Sequence, residues 1–151
     1  MKIKEIYNAA YAAGACRDNG LNFIEKAQSI EDLIYLMKSS QGTEFCMKNS
    51  FPSKDILLEH TADFVNKNVF VEGVHEVLNP NKVLVFGGYV TIRTNGYNAC
   101  EVYATNDAVV SLIADDYSFT TIELHGSSKV IGGSNKNAIV RVFNHKNKVD
   151  V

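Results

Sequence analysis

His125 and His145 stand twenty residues apart, a spacing that carries chemistry only if the chain repeats with a commensurate period. Two imidazoles on adjacent rungs of such a repeat could hold a transition metal, because neutral imidazole is a common metal ligand. Two ligands make a poor site, since closed sites want about four, and corner positions favour polar residues of any kind. No metal and no cofactor is therefore expected. Cys46 and His60 pose a second question, that of a thiol nucleophile beside an imidazole base. Cys46 lies between Phe45 and Met47, the setting of a small buried hydrophobe, and no third orienting residue or oxyanion loop is recognisable. An enzyme or metal-dependent binder built on Cys46/His60 or on His125/His145 stays the alternative reading, with no catalytic residue assigned. Asp107, Asp115 and Asp116 resemble the carboxylate corners of calcium-binding β-rolls. Calcium needs six or more oxygens, and acidic corners recur around one coil only, so turn-forming aspartates are the simpler reading.

These residues are placed by a ten-residue repeat running from Gly87 to Val151. Cutting before residues 87, 97, 107, 117, 127, 137 and 147 gives GGYVTIRTNG, YNACEVYATN, DAVVSLIADD, YSFTTIELHG, SSKVIGGSNK, NAIVRVFNHK and the partial NKVDV. Self-similarity at a fixed period marks a repetitive architecture. The fourth column holds Val90, Cys100, Val110, Thr120, Val130 and Val140; the sixth holds Ile92, Val102, Leu112, Ile122, Gly132 and Val142. The second is mostly small: Gly88, Asn98, Ala108, Ser118, Ser128, Ala138 and Lys148. Charges enter at odd columns, as at Arg93, Glu101, Glu123 and Arg141. Side chains alternate faces along a strand, so apolar even columns with mixed odd ones mean half-buried strands. Columns nine, ten and one are turn-formers, among them Asn95-Gly96, Asn106-Asp107 and Asp115-Asp116.

Two architectures fit a unit of one strand and one corner. In a flat β-solenoid two units make a twenty-residue coil, and parallel strands stack at ~4.8 Å. In an antiparallel meander each corner is a hairpin, for which Asn95-Gly96 is a preferred dipeptide. Alternate units resemble each other more than neighbours do: Tyr97 pairs with Tyr117, Ala99 with Phe119 and Ile139, Tyr103 with Phe143. That favours the solenoid, with the meander as the alternative.

Ahead of the repeats the pattern is helical. Ile3, Ile6, Tyr7, Ala10 and Ala13 share one face of a first helix that Gly14 can end. Ser29 and Asp32 resemble a capping arrangement before the apolar stripe of Ile30, Leu33, Ile34, Leu36 and Met37, with Gln41-Gly42 closing that helix. A short helical turn is expected through Thr43–Lys48, and a helix capped by Ser53 over Lys54–His60. VFVEG and KVLVF then read as strands around an Asn79-Pro80-Asn81 turn. The expectation is thus an α+β chain with three parts: a small helical subdomain over 1–66, irregular strands over 67–86, and β-repeats over 87–151.

Composition narrows the class. Apolar residues make up 46% and charged ones 21%, ordinary for a soluble globular chain. The net charge of −2 exerts no general pull on nucleic acid or anionic membrane, and no apolar run approaches membrane-spanning length. Glu5 and Asn8 interrupt the start, so no signal peptide is read there. Cys16, Cys46 and Cys100 are odd in number, without a CxxC, which argues for a reducing compartment, the cytoplasm.

The segment EDLIYLMKSSQGTEFCMKNSFPS, above all its QGTEFCMKNSFP stretch at Gln41–Pro52, is followed by repeats of the form small-x-V-x-V/I-x-A. Together they resemble a group of short β-repeat proteins from gut-dwelling anaerobic bacteria and their mobile elements or phages. The resemblance implies the fold and the genomic setting, and it brings no catalytic residues with it. The residues themselves point to a non-enzymatic protein-interaction or scaffold module. Its interaction flank would carry Tyr97, Tyr103, Tyr117, Phe119 and Phe143, and its partner would be another protein. The open strand edge at the C-terminal repeats offers a homodimer contact as well.

Overall fold

The computed structural model describes residues 3–12 and 29–145, and the chain divides into two compact units, Met1–Lys67 and Asn68–Val151. The first is helical. Helix α1 (Ile3–Ala12) buries Ile6 and Ala10, one turn apart. Helix α2 (Ile30–Lys38) starts at Ser29, whose Oγ accepts the Asp32 N–H at 3.3 Å, the reciprocal of a helix's unsatisfied first donors. Leu33, Ile34 and Met37 form its buried face.

Gln41-Gly42 does not end α2. The helix stops at extended Ser39, which also caps α3 (Ser40–Asn49): its Oγ donates to the Leu36 carbonyl at 2.6 Å and accepts the Gly42 N–H at 3.2 Å. One serine serves two helix ends, and Gly42 lies in the first turn of α3, where an added Cβ would overlap the Leu36 carbonyl oxygen. The short turn expected at Thr43–Lys48 is the middle of this ten-residue helix, which buries Thr43, Cys46 and Met47. Helices α4 (Lys54–Glu59) and α5 (Thr61–Val65) follow; Ser53 precedes α4 without a side-chain cap bond. Helix α2 packs on α3 and α5, and α4 on α5. Cys16 and the expected helix-ending Ala13-Gly14 lie outside the described residues.

The second unit is a parallel β-solenoid of roughly three turns, which excludes the meander. Its strands are β1 (Val69–Phe70), β2 (Val74–Leu78), β3 (Lys82–Val85), β4 (Tyr89–Thr94), β5 (Ala99–Ala104), β6 (Val109–Ala114), β7 (Phe119–Leu124), β8 (Lys129–Ser134) and β9 (Ile139–Asn144). Odd strands form a five-stranded sheet in the order β1-β3-β5-β7-β9, and even strands a four-stranded sheet, β2-β4-β6-β8. Every pairing is parallel, and in the regular coils each residue lies beside the one twenty positions on, as in Val90↔Val110↔Val130 and Ala99↔Phe119↔Ile139. The leading strands are early, shorter coils of the same solenoid: Val69 lies beside Leu84 and Val74 beside Tyr89. Strand β2 escapes the sequence reading because its apolar ends, Val74 and Leu78, are exposed and invert the alternation.

Even columns line the interior. Val90, Ile92, Thr94, Cys100, Val102, Ala104, Val110, Leu112, Ala114, Thr120, Ile122 and Leu124 are all buried. At ~1.5–3 kcal/mol for each large apolar side chain, these ladders dominate the stability of the unit. The corners explain the rest of the repeat. Column ten is left-handed in every regular corner: Gly96, Asn106, Asp116, Gly126 and Lys136 have φ between 54° and 60°. Glycine, asparagine and aspartate enter that region most readily. A turn bond then joins the second-column N–H to the ninth-column carbonyl, as from Ser118 to Asp115 at 3.2 Å. Column two is small because it is folded inward: Ala108, Ser118 and Ser128 are buried. Ser118 Oγ donates to Asp115 O at 2.8 Å, and Ser128 Oγ to His125 O at 2.6 Å.

The interior thins at the last coil. Gly132 and Ser134 replace apolar residues in β8, and Val142 in β9 is 46% exposed. Residues 146–151, the KNKVDV end of the edge expected to offer a homodimer contact, lie outside the described residues. Two even-column positions yield predictions of opposite sign. Thr120 Oγ1 is buried without a hydrogen-bond partner, so Thr120→Val should stabilise by about 1 kcal/mol, seen as a higher urea midpoint with unchanged slope. Gly132 has φ +91°, and an added Cβ would overlap the Leu112 carbonyl oxygen. Gly132→Val restores the residue type of its column yet should cost about 2 kcal/mol by the same measurement.

Candidate functional site

The outward face of the five-stranded sheet collects most of the chemistry-bearing side chains. Three ladders cross it. The third column carries Ala99, Phe119 and Ile139; the fifth places Lys82 beside Glu101, then Thr121 and Arg141; the seventh places Leu84 beside Tyr103, then Glu123 and Phe143. Successive ladders on one face are two residues apart along the strand, ~6.6 Å. The Lys82 ammonium lies 5.1 Å from the centre of the Tyr103 ring, and the Arg141 guanidinium 6.0 Å from that of Phe119, both within cation–π range. Tyr103 Oη donates to Glu101 Oε1 at 3.0 Å. Burial, then the Glu101 hydrogen bond and the charges of Glu101 and Glu123, push the Tyr103 phenol up, so it stays a neutral donor. Lys82 is lowered by burial, against the opposing pull of Glu101 and Glu123. Asn81, Ala99, Cys100, Glu101, Phe119 and Thr121 line an open depression on this side.

The five aromatics of the expected flank do not form one strip. Tyr97 and Tyr117 stack at the corner between the sheets, ring centres 5.4 Å apart and 11° from parallel. Phe119 lies in the adjoining column of the flat face. Tyr103 and Phe143 share the far ladder, but Glu123 separates them by a rung. Phe119, Ile139 and Phe143 are 39, 50 and 47% exposed, and they border Arg141 on β7 and β9.

At the opposite corner the ninth column stacks Thr105, His125 and His145. The two imidazoles lie 4.5 Å apart, 16° from parallel. His145 Nε2 is 3.0 Å from Glu123 Oε1. One ligand atom from each of Glu123, His125 and His145 lies within 4.8 Å of the others, and all three residues are half-buried. Sequence reasoning pairs the histidines but misses Glu123. The signal was present: on a twenty-residue coil, the residue two before His125 lies on the rung below His145 and on its side of the sheet.

Other candidates come apart. Asp107 sits at one corner, and Asp115 and Asp116 at the other. Asp116 Oδ2 accepts the Gly96 N–H at 2.9 Å, and its Oδ1 lies 3.1 Å from Lys136 Nζ, which also approaches Asp115 at 3.5 Å. The Gly96 N–H, then Lys136, hold the Asp116 carboxyl below its usual value. Asp115 and Asp116 are thus held within their own corner by Lys136 and by backbone N–H groups, apart from Asp107. Cys46 faces the interior of the helical unit, and His60, between α4 and α5, has its nearest carboxylate in Asp63 at 3.8 Å. Burial pushes the Cys46 thiol up to about 12, and burial followed by the Glu101 charge does the same to Cys100. Neither is a thiolate at neutral pH, the state that nucleophilic attack requires.

It follows that Cys46 and Cys100 should alkylate with iodoacetamide far more slowly than free cysteine in the native protein, and at the free rate in denaturant; rapid native labelling of Cys46 would restore it as a nucleophile. No helix among the described residues is long and apolar enough to cross a membrane. Comparison with known proteins gives no match among family models, curated proteins or solved structures.

Proposed function

We propose that the chain is a non-enzymatic interaction module of the cytoplasm, a rigid β-repeat surface that docks another protein. The observation that carries this reading is the concentration of exposed apolar side chains on the last strands of the five-stranded sheet: Phe119, Ile139 and Phe143 around Arg141 on the flat face. Aromatic anchors around an arginine are the composition of interface hot spots. A matching partner would offer apolar side chains around a carboxylate. The stacked Tyr97 and Tyr117 extend the same margin. In our reading that partner is a protein of a bacterial host, as the sequence resemblance to β-repeat proteins of bacterial mobile elements and phages implies.

A second copy of the chain is the other occupant with support. Strands β8 and β9 each pair on one side only among the described residues, and an unpaired edge is a template for a further strand.

The test is capture from native lysate with the tagged protein, alongside its mass in solution. A stoichiometric protein partner should be retained by wild type and lost by Phe119→Ala/Phe143→Ala. Truncating two such anchors should weaken binding more than about 30-fold, at ~2 kcal/mol for a hot-spot residue. A dimer mass that the same double variant abolishes would make the partner a second copy. A strict monomer that captures nothing would overturn the reading.

A further inference from the structure

We propose that Glu123, His125 and His145 form a binding site for a divalent transition-metal ion of the zinc class, with one coordination position left open. The donors are of the right kind: two imidazole nitrogens and one carboxylate oxygen suit borderline ions such as Zn²⁺ and Co²⁺, whereas Mg²⁺ and Ca²⁺ want all-oxygen shells. They also converge. Ligands at ~2.0–2.1 Å from a tetrahedral ion lie ~3.4 Å from one another. The His145–Glu123 distance of 3.0 Å is already close to that, and all three ligand atoms fall within 4.8 Å. Side-chain shifts of about 1 Å would bring them onto one ion.

The backbone holds the histidines in place for this. The His125 N–H donates to Ala104 O at 2.8 Å and the His145 N–H to Leu124 O at 2.9 Å, so the rings rise from adjacent rungs of one ladder. The rung beneath presents Thr105, which confines the donors to the last two rungs. Tyr103 stands one rung below Glu123 in the same column, with its hydroxyl donated to Glu101. With three protein ligands, the fourth position is open to water or to a donor from another molecule.

The test uses the full chain alone, stripped with a chelator, and so is independent of any protein partner. Zn²⁺ is titrated calorimetrically and Co²⁺ by visible absorption, with Mg²⁺ and Ca²⁺ as controls. One Zn²⁺ should bind per chain, a tetrahedral Co²⁺ spectrum should appear, and the controls should give nothing. His125→Ala and His145→Ala should each weaken Zn²⁺ more than 100-fold. The isosteric Glu123→Gln should weaken it at least 10-fold. Zn²⁺ should raise the melting temperature of wild type but not of the histidine variants, and circular dichroism checks their fold. Absence of binding at millimolar Zn²⁺, or equal binding in wild type and Glu123→Gln with the histidine variants folded and unaffected, overturns the site.

Discussion

The backbone ladder between parallel strands, closed every twenty residues, is the constraint on which the solenoid depends. It converts sequence distance into a fixed rise, so residues in one column become neighbours whatever their chemistry. Closing the coil at two corners imposes the other requirements. The chain must turn through a left-handed residue, supplied at Gly96, Asn106, Asp116, Gly126 and Lys136, and the next inward position must be small, as at Ala108, Ser118 and Ser128. Apolar side chains in the even columns then fill the space the corners define. Composition alone does not dictate this interior; the phase of the repeat does.

The columns made the fold legible. Twenty-residue likenesses such as Tyr97 with Tyr117 are register partners in space, and the even columns are the core. Legibility failed where local pattern and tertiary role diverge. Gly42 has the look of a helix terminator, but its lack of a side chain serves close approach to the Leu36 carbonyl, while Ser39 ends one helix and begins the next. Strand β2 hides because exposed Val74 and Leu78 reverse its alternation. For the site, the histidine pair could be read from spacing, but its carboxylate required seeing that a strand residue and a corner residue point the same way. The aromatic flank was over-read for a related reason. Column membership places Tyr103 and Phe143 in one ladder, and it takes the rung count to see Glu123 between them.

The two corners show how the same backbone supports unlike electrostatics. At one, each acidic group meets a fixed donor: Asp116 takes a backbone N–H and lies beside Lys136, and Asn79 exchanges hydrogen bonds with Asn95 at 2.8 Å. That ladder is closed on itself. At the other, two imidazoles and a carboxylate face one point. The flat sheet between them combines cations over aromatic rings with apolar groups on its last strands. A surface of that kind is shaped by rungs, so its neighbouring patches cannot drift relative to one another.

The twenty-residue register has a consequence for how such a chain can change length. Removing or adding one whole coil keeps every column in phase and every strand in its own sheet, so the product is a shorter or taller version of the same prism. A change of ten keeps the apolar columns inside but exchanges the sheets beyond it, carrying a tyrosine corner to the side where histidines had stood. A change of one or two breaks the corners outright. Length is therefore quantised for this architecture: lineages can vary in height by coils, while chemistry drawn from two rungs survives only if both are inherited together.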